Sequence, residues 1–130
     1  MKRFLEWIGI KEKIHNENNF PSFEERQIWW AYLGENVGHE EDGKGENFMR
    51  PFIVIRKFNK ELLFGIPCSS ITKDNQYYFE VVVWSGNFKT AALLSQGRTI
   101  SSRRLVKIID KVGESVFNDL KTAMIKAVFK

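Results

Sequence analysis

Apolar residues recur along this chain at two different periods, and the change of period divides it. From Glu114 onward, Val116, Phe117, Leu120, Met124, Ile125 and Val128 recur at steps of three and four, which puts a stripe down one face of a C-terminal helix. Phe4, Trp7, Ile8 and Ile14 stand near helical spacing with charges between them, predicting a short amphipathic N-terminal helix weakened by Gly9. The run His15-Asn16-Glu17-Asn18-Asn19 is polar, and Pro21 closes it. Residues 1–20 therefore read as a helix and linker, and residues 21–130 as the folded body, starting near Phe23.

Between the helices the period shortens. Arg26–Leu33, rich in aromatics, predicts a first strand. Phe52–Ile55 is apolar without alternation, the mark of a strand buried on both faces within a predicted strand over 51–57. Asn59-Lys60 predicts a tight hairpin turn into Leu62–Ile66. Asp74-Asn75 and Ser85-Gly86-Asn87 predict turns around a strand at Tyr77–Trp84, followed by a short strand at Thr90–Leu94. Residues 96–101 read as a polar turn, and Ser102–Ile109 as beginning with a short capped helix. About five short strands joined by turns imply a mainly β chain folded as a small, strongly bent barrel. The stretch 34–49 holds Gly34, Gly38, Gly43 and Gly45 among Glu40, Glu41, Asp42 and Glu46, and reads as a long exposed loop of the kind that carries function.

Composition narrows the function classes. The chain has 130 residues, enough for one core but not two, and a net charge of +4, which leans toward a polyanionic or acidic partner. Its single cysteine, Cys68, excludes an internal disulfide or a CxxC zinc site, and reads as a buried structural thiol. No apolar run approaches a membrane span. The N-terminus departs from a secretory signal at Glu6 and at Lys11-Glu12-Lys13, so a cytoplasmic protein is expected. P-loop, GxGxxG, HExxH and nucleophile-elbow motifs are absent, His15 and His39 lie apart, and the acidic loop misses the EF-hand spacing. Neither a metal nor a cofactor is expected.

The remaining chemistry sits at strand ends. Arg50 precedes Pro51, whose ring restrains it, at the mouth of a buried strand. In a hairpin turning at Asn59-Lys60, Arg50 and Ser69 are equidistant from the turn, so the guanidinium and the hydroxyls of Ser69 and Ser70 should share one rim. A guanidinium offers a planar fork of donors to phosphate, and a neighbouring hydroxyl can orient a phosphoryl oxygen.

Several short stretches resemble a known family. Arg26-Gln27-Ile28-Trp29-Trp30-Ala31-Tyr32-Leu33, Asn36-Val37-Gly38-His39-Glu40 and Arg50-Pro51-Phe52-Ile53-Val54-Ile55 are similar to the opening strand, glycine-containing loop and Arg-Pro strand of the MazF/PemK toxins of type II toxin–antitoxin systems. Pro67-Cys68-Ser69-Ser70 resembles the family's Pro-x-Thr-Ser rim, and Ser95-Gln96-Gly97-Arg98-Thr99-Ile100-Ser101 its acid-Gln-x-Arg-Thr-Ile-Asp element. The resemblance spans about residues 24–128 and leaves the N-terminal helix outside.

It implies a homodimer of SH3-like barrels that cleaves single-stranded RNA without a metal, by attack of the 2′-hydroxyl on the adjoining phosphate. It also implies an acidic antitoxin partner, through which alone DNA would be met. Arg50, Ser69 and Ser70 would be catalytic, and His39, Phe48, Gln96 and Arg98 would contact RNA, Phe48 by stacking on a base. Lys44, Arg56, Arg103 and Arg104 are further candidates for phosphate contacts. Three positions depart from the pattern: Ser95 replaces an acid, Leu93 stands where some members have an arginine, and Ser69 replaces a threonine and so loses the β-branch that fixes χ1. The rival reading is a non-catalytic module on the same barrel, binding RNA or protein, or poisoning gyrase as the related CcdB toxins do.

Overall fold

A computed structural model describes residues 2–18, 20–45, 48–70, 73–82 and 89–129. The order of elements is α1 (Phe4–Asn16), β1 (Gln27–Tyr32), β2 (Met49–Lys57), β3 (Leu62–Ser69), β4 (Tyr78–Val82), β5 (Lys89–Leu93), β6 (Arg98–Ser101), β7 (Leu105–Lys111) and α2 (Glu114–Phe129). The mainly β architecture with a helix at each end agrees with the sequence pattern.

The strands form one antiparallel sheet in the order β4-β5-β3-β2-β1-β7, with β6 also paired to β3. Among the described residues seven strands stand where about five were expected, and the sheet is open, ending at β4 and β7. The extra strands come from 98–111. The stretch read as a polar turn pairs with the first half of β3, Leu62↔Ser101 to Gly65↔Arg98, because that edge of β3 is otherwise unpaired there. The short capped helix is a 3₁₀ turn, Ser102–Arg104, and its cap is Ser101, which accepts a hydrogen bond from the Arg103 amide. The predicted strand 77–84 is seen over Tyr78–Val82, while the turn expected at Ser85–Asn87 lies outside the described residues.

The β2–β3 hairpin is central. Its register runs Phe52↔Pro67, Ile53↔Ile66 and Val54↔Gly65, then shifts by one residue at a bulge before Arg56↔Phe64. Gly65 is required by packing: a Cβ there would lie 2.3 Å from the Ile53 carbonyl oxygen and 2.3 Å from the Phe52 ring. Strand β2 is buried on both faces. Ile53 and Ile55 join Ile28, Ile66, Val81, Phe117 and Leu120 in a core beneath α2. Phe52 and Val54 face the other way, into a core with Trp29, Leu33 and Leu105. Alternation of β-strand side chains thus feeds two cores from one continuous apolar run.

The stretch 34–48 departs from a wholly exposed loop. Phe48 is fully buried with Trp7 and Ile14, a third small core that joins α1 to the loop. Trp7 lies 5.6 Å from Phe48 between ring centroids. It also packs where Gly34, at φ +72°, carries no side chain; a Cβ there would fall 1.9 Å from the indole. Among the described residues no helix is long and apolar enough to cross a membrane.

Candidate active site

Arg50 enters β2 as a nearly buried side chain, 6% exposed. Three oxygens hold its guanidinium: Nε donates to the Asp42 carbonyl at 2.6 Å, Nη1 to the Cys68 carbonyl at 3.2 Å, and Nη2 pairs with the Glu41 carboxylate at 2.7 Å. The Cys68 contact ties the start of β2 to the end of β3. Extending their register by two residues sets Arg50 opposite Ser69. Ser69 is largely buried, its carbonyl accepting the Thr90 hydroxyl at 3.0 Å, and Ser70 is exposed just beyond the strand.

The loop before Arg50 is folded by its own amides and acids. The Asn36 side chain donates to the carbonyls of Leu33 (3.0 Å) and Glu41 (2.9 Å), and its backbone amide donates to the Asp42 carboxylate at 2.5 Å. Gln96, from the 3₁₀ turn Leu94–Gln96, bridges to the same loop. It accepts from the Glu41 amide at 3.2 Å and donates to the His39 carbonyl at 3.1 Å. A cavity of about 430 Å³ opens beside these residues, lined by Glu40, Glu41, Pro67, Ser95, Gln96 and Arg98.

Burial, opposed by the charge of Arg50, pushes the Cys68 thiol well above its ordinary range. It is a structural thiol rather than a nucleophile.

The N-terminal segment reaches this loop as well. The Lys2 ammonium pairs with the Asp42 carboxylate at 3.0 Å and donates to the Asn36 carbonyl. Arg3 donates to the Gly45 carbonyl at 2.5 Å and lies 4.0 Å over the Phe48 ring. Asp42 therefore touches Lys2 through its carboxylate and Arg50 through its carbonyl.

Of the residues singled out from sequence, Arg50 and Ser69 meet at one strand rim, and His39, Gln96 and Arg98 gather around the adjoining loop and cavity. Phe48 is a correction. Its ring is enclosed by Trp7 and Arg3, so it offers no exposed face for a base. Arg56 is exposed near the far end of β2, roughly 20 Å from Arg50 at the usual rise per residue. Glu41 is not singled out in the sequence, where it is one of four acids in a stretch that reads as an exposed loop. Its only signal was an acid cluster a few residues before a restrained arginine.

Residues 24–128 match the family described as PemK-like, MazF-like toxin of type II toxin–antitoxin system; α1 lies outside the match. Among solved structures, MazF from Deinococcus radiodurans is similar at 14% identity and a TM-score of 0.65, with 87% of this chain and 100% of that chain covered. An endoribonuclease from Mycobacterial species is similar at 12% identity and 0.60, covering 85% and 93%. The Mycobacterium tuberculosis toxin MazF-mt6 is similar at 16% identity and 0.59, covering 78% and 95%. These likenesses show a shared fold. No curated protein matches the chain in sequence.

Proposed function

The chain belongs to the PemK-like, MazF-like toxin family of type II toxin–antitoxin systems, and from that premise we propose that it is a metal-independent endoribonuclease of single-stranded RNA. One observation carries the reading: a nearly buried guanidinium at a strand rim already grips an oxyanion, the Glu41 carboxylate, beside an open cavity. One nitrogen of that guanidinium, Nη2, holds one oxygen of the carboxylate, and a donor placed for a carboxylate oxygen also suits a phosphate oxygen. Substrate binding is then an exchange, in which the RNA phosphate displaces Glu41.

In the reaction the ribose 2′-oxygen attacks the adjoining phosphorus and loses its proton. The bond from phosphorus to the 5′-oxygen breaks, and that oxygen gains a proton. A 2′,3′-cyclic phosphate and a 5′-hydroxyl remain. Negative charge builds on the non-bridging oxygens in the transition state, so a fixed guanidinium stabilises it more than the ground state. Ser69 and Ser70 orient the phosphoryl oxygens, while His39, Gln96 and Arg98 meet the flanking nucleotides. Position 95 supplies no acid, but Glu40 and Glu41 line the same cavity as Ser95. A carboxylate to receive the 2′-hydroxyl proton comes from the loop instead.

The partner is an acidic antitoxin that covers the same groove, and the working form is a homodimer of SH3-like barrels in the cytoplasm, meeting DNA only through the antitoxin. One structural neighbour is an endoribonuclease solved in complex with its cognate antitoxin, which supports a partner of this kind.

Incubation of the protein with single-stranded RNA in EDTA, followed by end mapping, tests the activity. Cleavage with 5′-hydroxyl products, abolished by Arg50→Ala, is expected. RNA that is bound but left intact would sink the enzyme reading in favour of a binding module. Ser95→Asp should raise cleavage or change the cut sequence without altering the fold.

A further inference from the structure

A second cleft lies between α1 and the 3₁₀ turn Ser102–Arg104. It holds about 170 Å³ and is lined by Lys11, His15, Ser101, Arg103 and Arg104 around the buried edges of Trp7 and Ile14. Four of those residues are basic and none is acidic. They come from two parts of the chain: Lys11 and His15 from the helix outside the family match, the others from the body within it.

Backbone carbonyls and aromatic rings hold both guanidiniums, and Arg103 has a distant carboxylate as well. Arg104 Nη1 donates to the Tyr32 carbonyl at 3.1 Å, and its guanidinium lies 5.7 Å from the centre of the Trp7 ring. Arg103 Nε donates to the Glu17 carbonyl at 2.8 Å, its guanidinium lies 5.0 Å over Phe20, and among the described residues its carboxylate partner is Glu61 at 3.8 Å. Among the described residues no carboxylate lies within 4.0 Å of Lys11, Arg98 or Arg104. The Ser101 hydroxyl accepts from the Arg103 amide, which leaves its proton to donate outward. Burial, reinforced by the nearby charge of Arg98, pushes Arg104 down to about 10. It is still charged at neutral pH. A partly buried cation without a counter-ion is unfavourable until an anion arrives.

We propose that this cleft is a second phosphate site, which holds a backbone phosphodiester of the RNA strand whose scissile phosphate sits at Arg50. This rests on the endoribonuclease reading. Strand β6 joins the two places, because it runs from Arg98, which lines the Arg50-side cavity, to Ser101, which lines the cleft. Helix α1 then has a function: it carries Lys11 and His15 to a turn that already presents two guanidiniums, and so lengthens the strand's track across the protein. Phosphate binding by such a track is electrostatic and indifferent to base sequence.

The test uses the full chain and 2′-O-methylated RNA, which cannot be cut, at two lengths, 4 and 12 nucleotides as about one and several phosphates past the scissile position. Anisotropy titrations across salt compare the wild type with Lys11→Gln/His15→Gln and with Arg104→Met. The expected result is a several-fold loss of affinity for the longer RNA alone, with the salt slope falling by about 0.7 per fixed cation removed. Lys11 and His15 are exposed, so their double variant keeps the fold if the Arg104 variant does not. Equal affinity and slope in the double variant overturn the proposal.

A parallel NMR titration with inorganic phosphate separates the sources. Perturbation of the Trp7 indole and the His15 ring by phosphate, without any dependence on RNA length, makes this a site for free phosphate and overturns the RNA assignment. Loss of EDTA-resistant cleavage in the wild type, with the length effect retained, refutes the enzyme reading and leaves the phosphate site standing.

Discussion

Arg50 and Arg104 are both drawn into the protein, but they are held in opposite ways. Arg50 has a carboxylate, Glu41, and two carbonyls, so its charge is compensated inside the fold. Arg104 has a carbonyl and the face of an indole, with Arg98 as an unfavourable neighbour. The first arrangement is a closed site, stable without ligand, where a phosphate must compete with an internal acid. The second is an open one, which costs stability until an anion fills it. A buried or half-buried arginine is therefore not one kind of object: its counter-ion says whether its ligand arrives by exchange or by simple addition.

The comparison can be broken most sharply at Arg50. Arg50→Ala should lower the cleavage rate by at least about 10²-fold, the usual loss for a donor aimed at developing charge, as read in single-turnover assays. The stability contrast comes next. Arg50→Met strands the Glu41 carboxylate in a crowded loop and should cost about 1–3 kcal/mol by urea unfolding. Arg104→Met keeps apolar contact with Trp7 and removes an uncompensated charge, so its midpoint should hold or rise. Equal losses in the two variants would end the distinction between closed and open sites.

Glu41→Gln removes the internal competitor. It should tighten binding of uncleavable RNA several-fold while slowing cleavage, if the same carboxylate also takes the 2′-hydroxyl proton; unchanged affinity would mean that the acid does not compete. The smallest effect belongs to the N-terminal tether. Lys2→Ala breaks a half-exposed pair with Asp42, worth about 0–1 kcal/mol. It should speed amide exchange in 34–45 without moving the global midpoint, and identical exchange would show that the loop's other contacts, from Asn36, Arg50 and Gln96, hold it without the tether.

The parts of this molecule that can be read from sequence are those fixed by local rules. The apolar run 52–55, the turn at Asn59-Lys60 and the period of α2 each carry their own signal, and together they place Arg50 across from Ser69. Strands β6 and β7 do not, because Arg98, Thr99, Val106, Lys107 and Ile108 lie on a thinly covered edge, and pairing to β3 and β1 rather than alternation defines them. The burial of Phe48 was hidden for a different reason. It depends on α1, which lies 41 residues earlier in the chain at Trp7, packing onto the loop against Phe48 and the bare backbone of Gly34. The Glu41–Arg50 pair is likewise a product of the loop's fold, set by Asn36, Asp42 and Gln96, none of which announces a partner in the sequence.

The most direct measurement is the single-turnover rate of RNA cleavage in EDTA by Arg50→Lys beside the wild type, with product ends mapped. Lysine keeps the positive charge but cannot present a fork. If Arg50 holds the phosphate in the transition state, the wild type yields 5′-hydroxyl ends. Arg50→Lys then loses at least about 10²-fold in rate while binding RNA almost as well. A rate within a few-fold of wild type would contradict the central role of Arg50, and so would cleavage that EDTA abolishes.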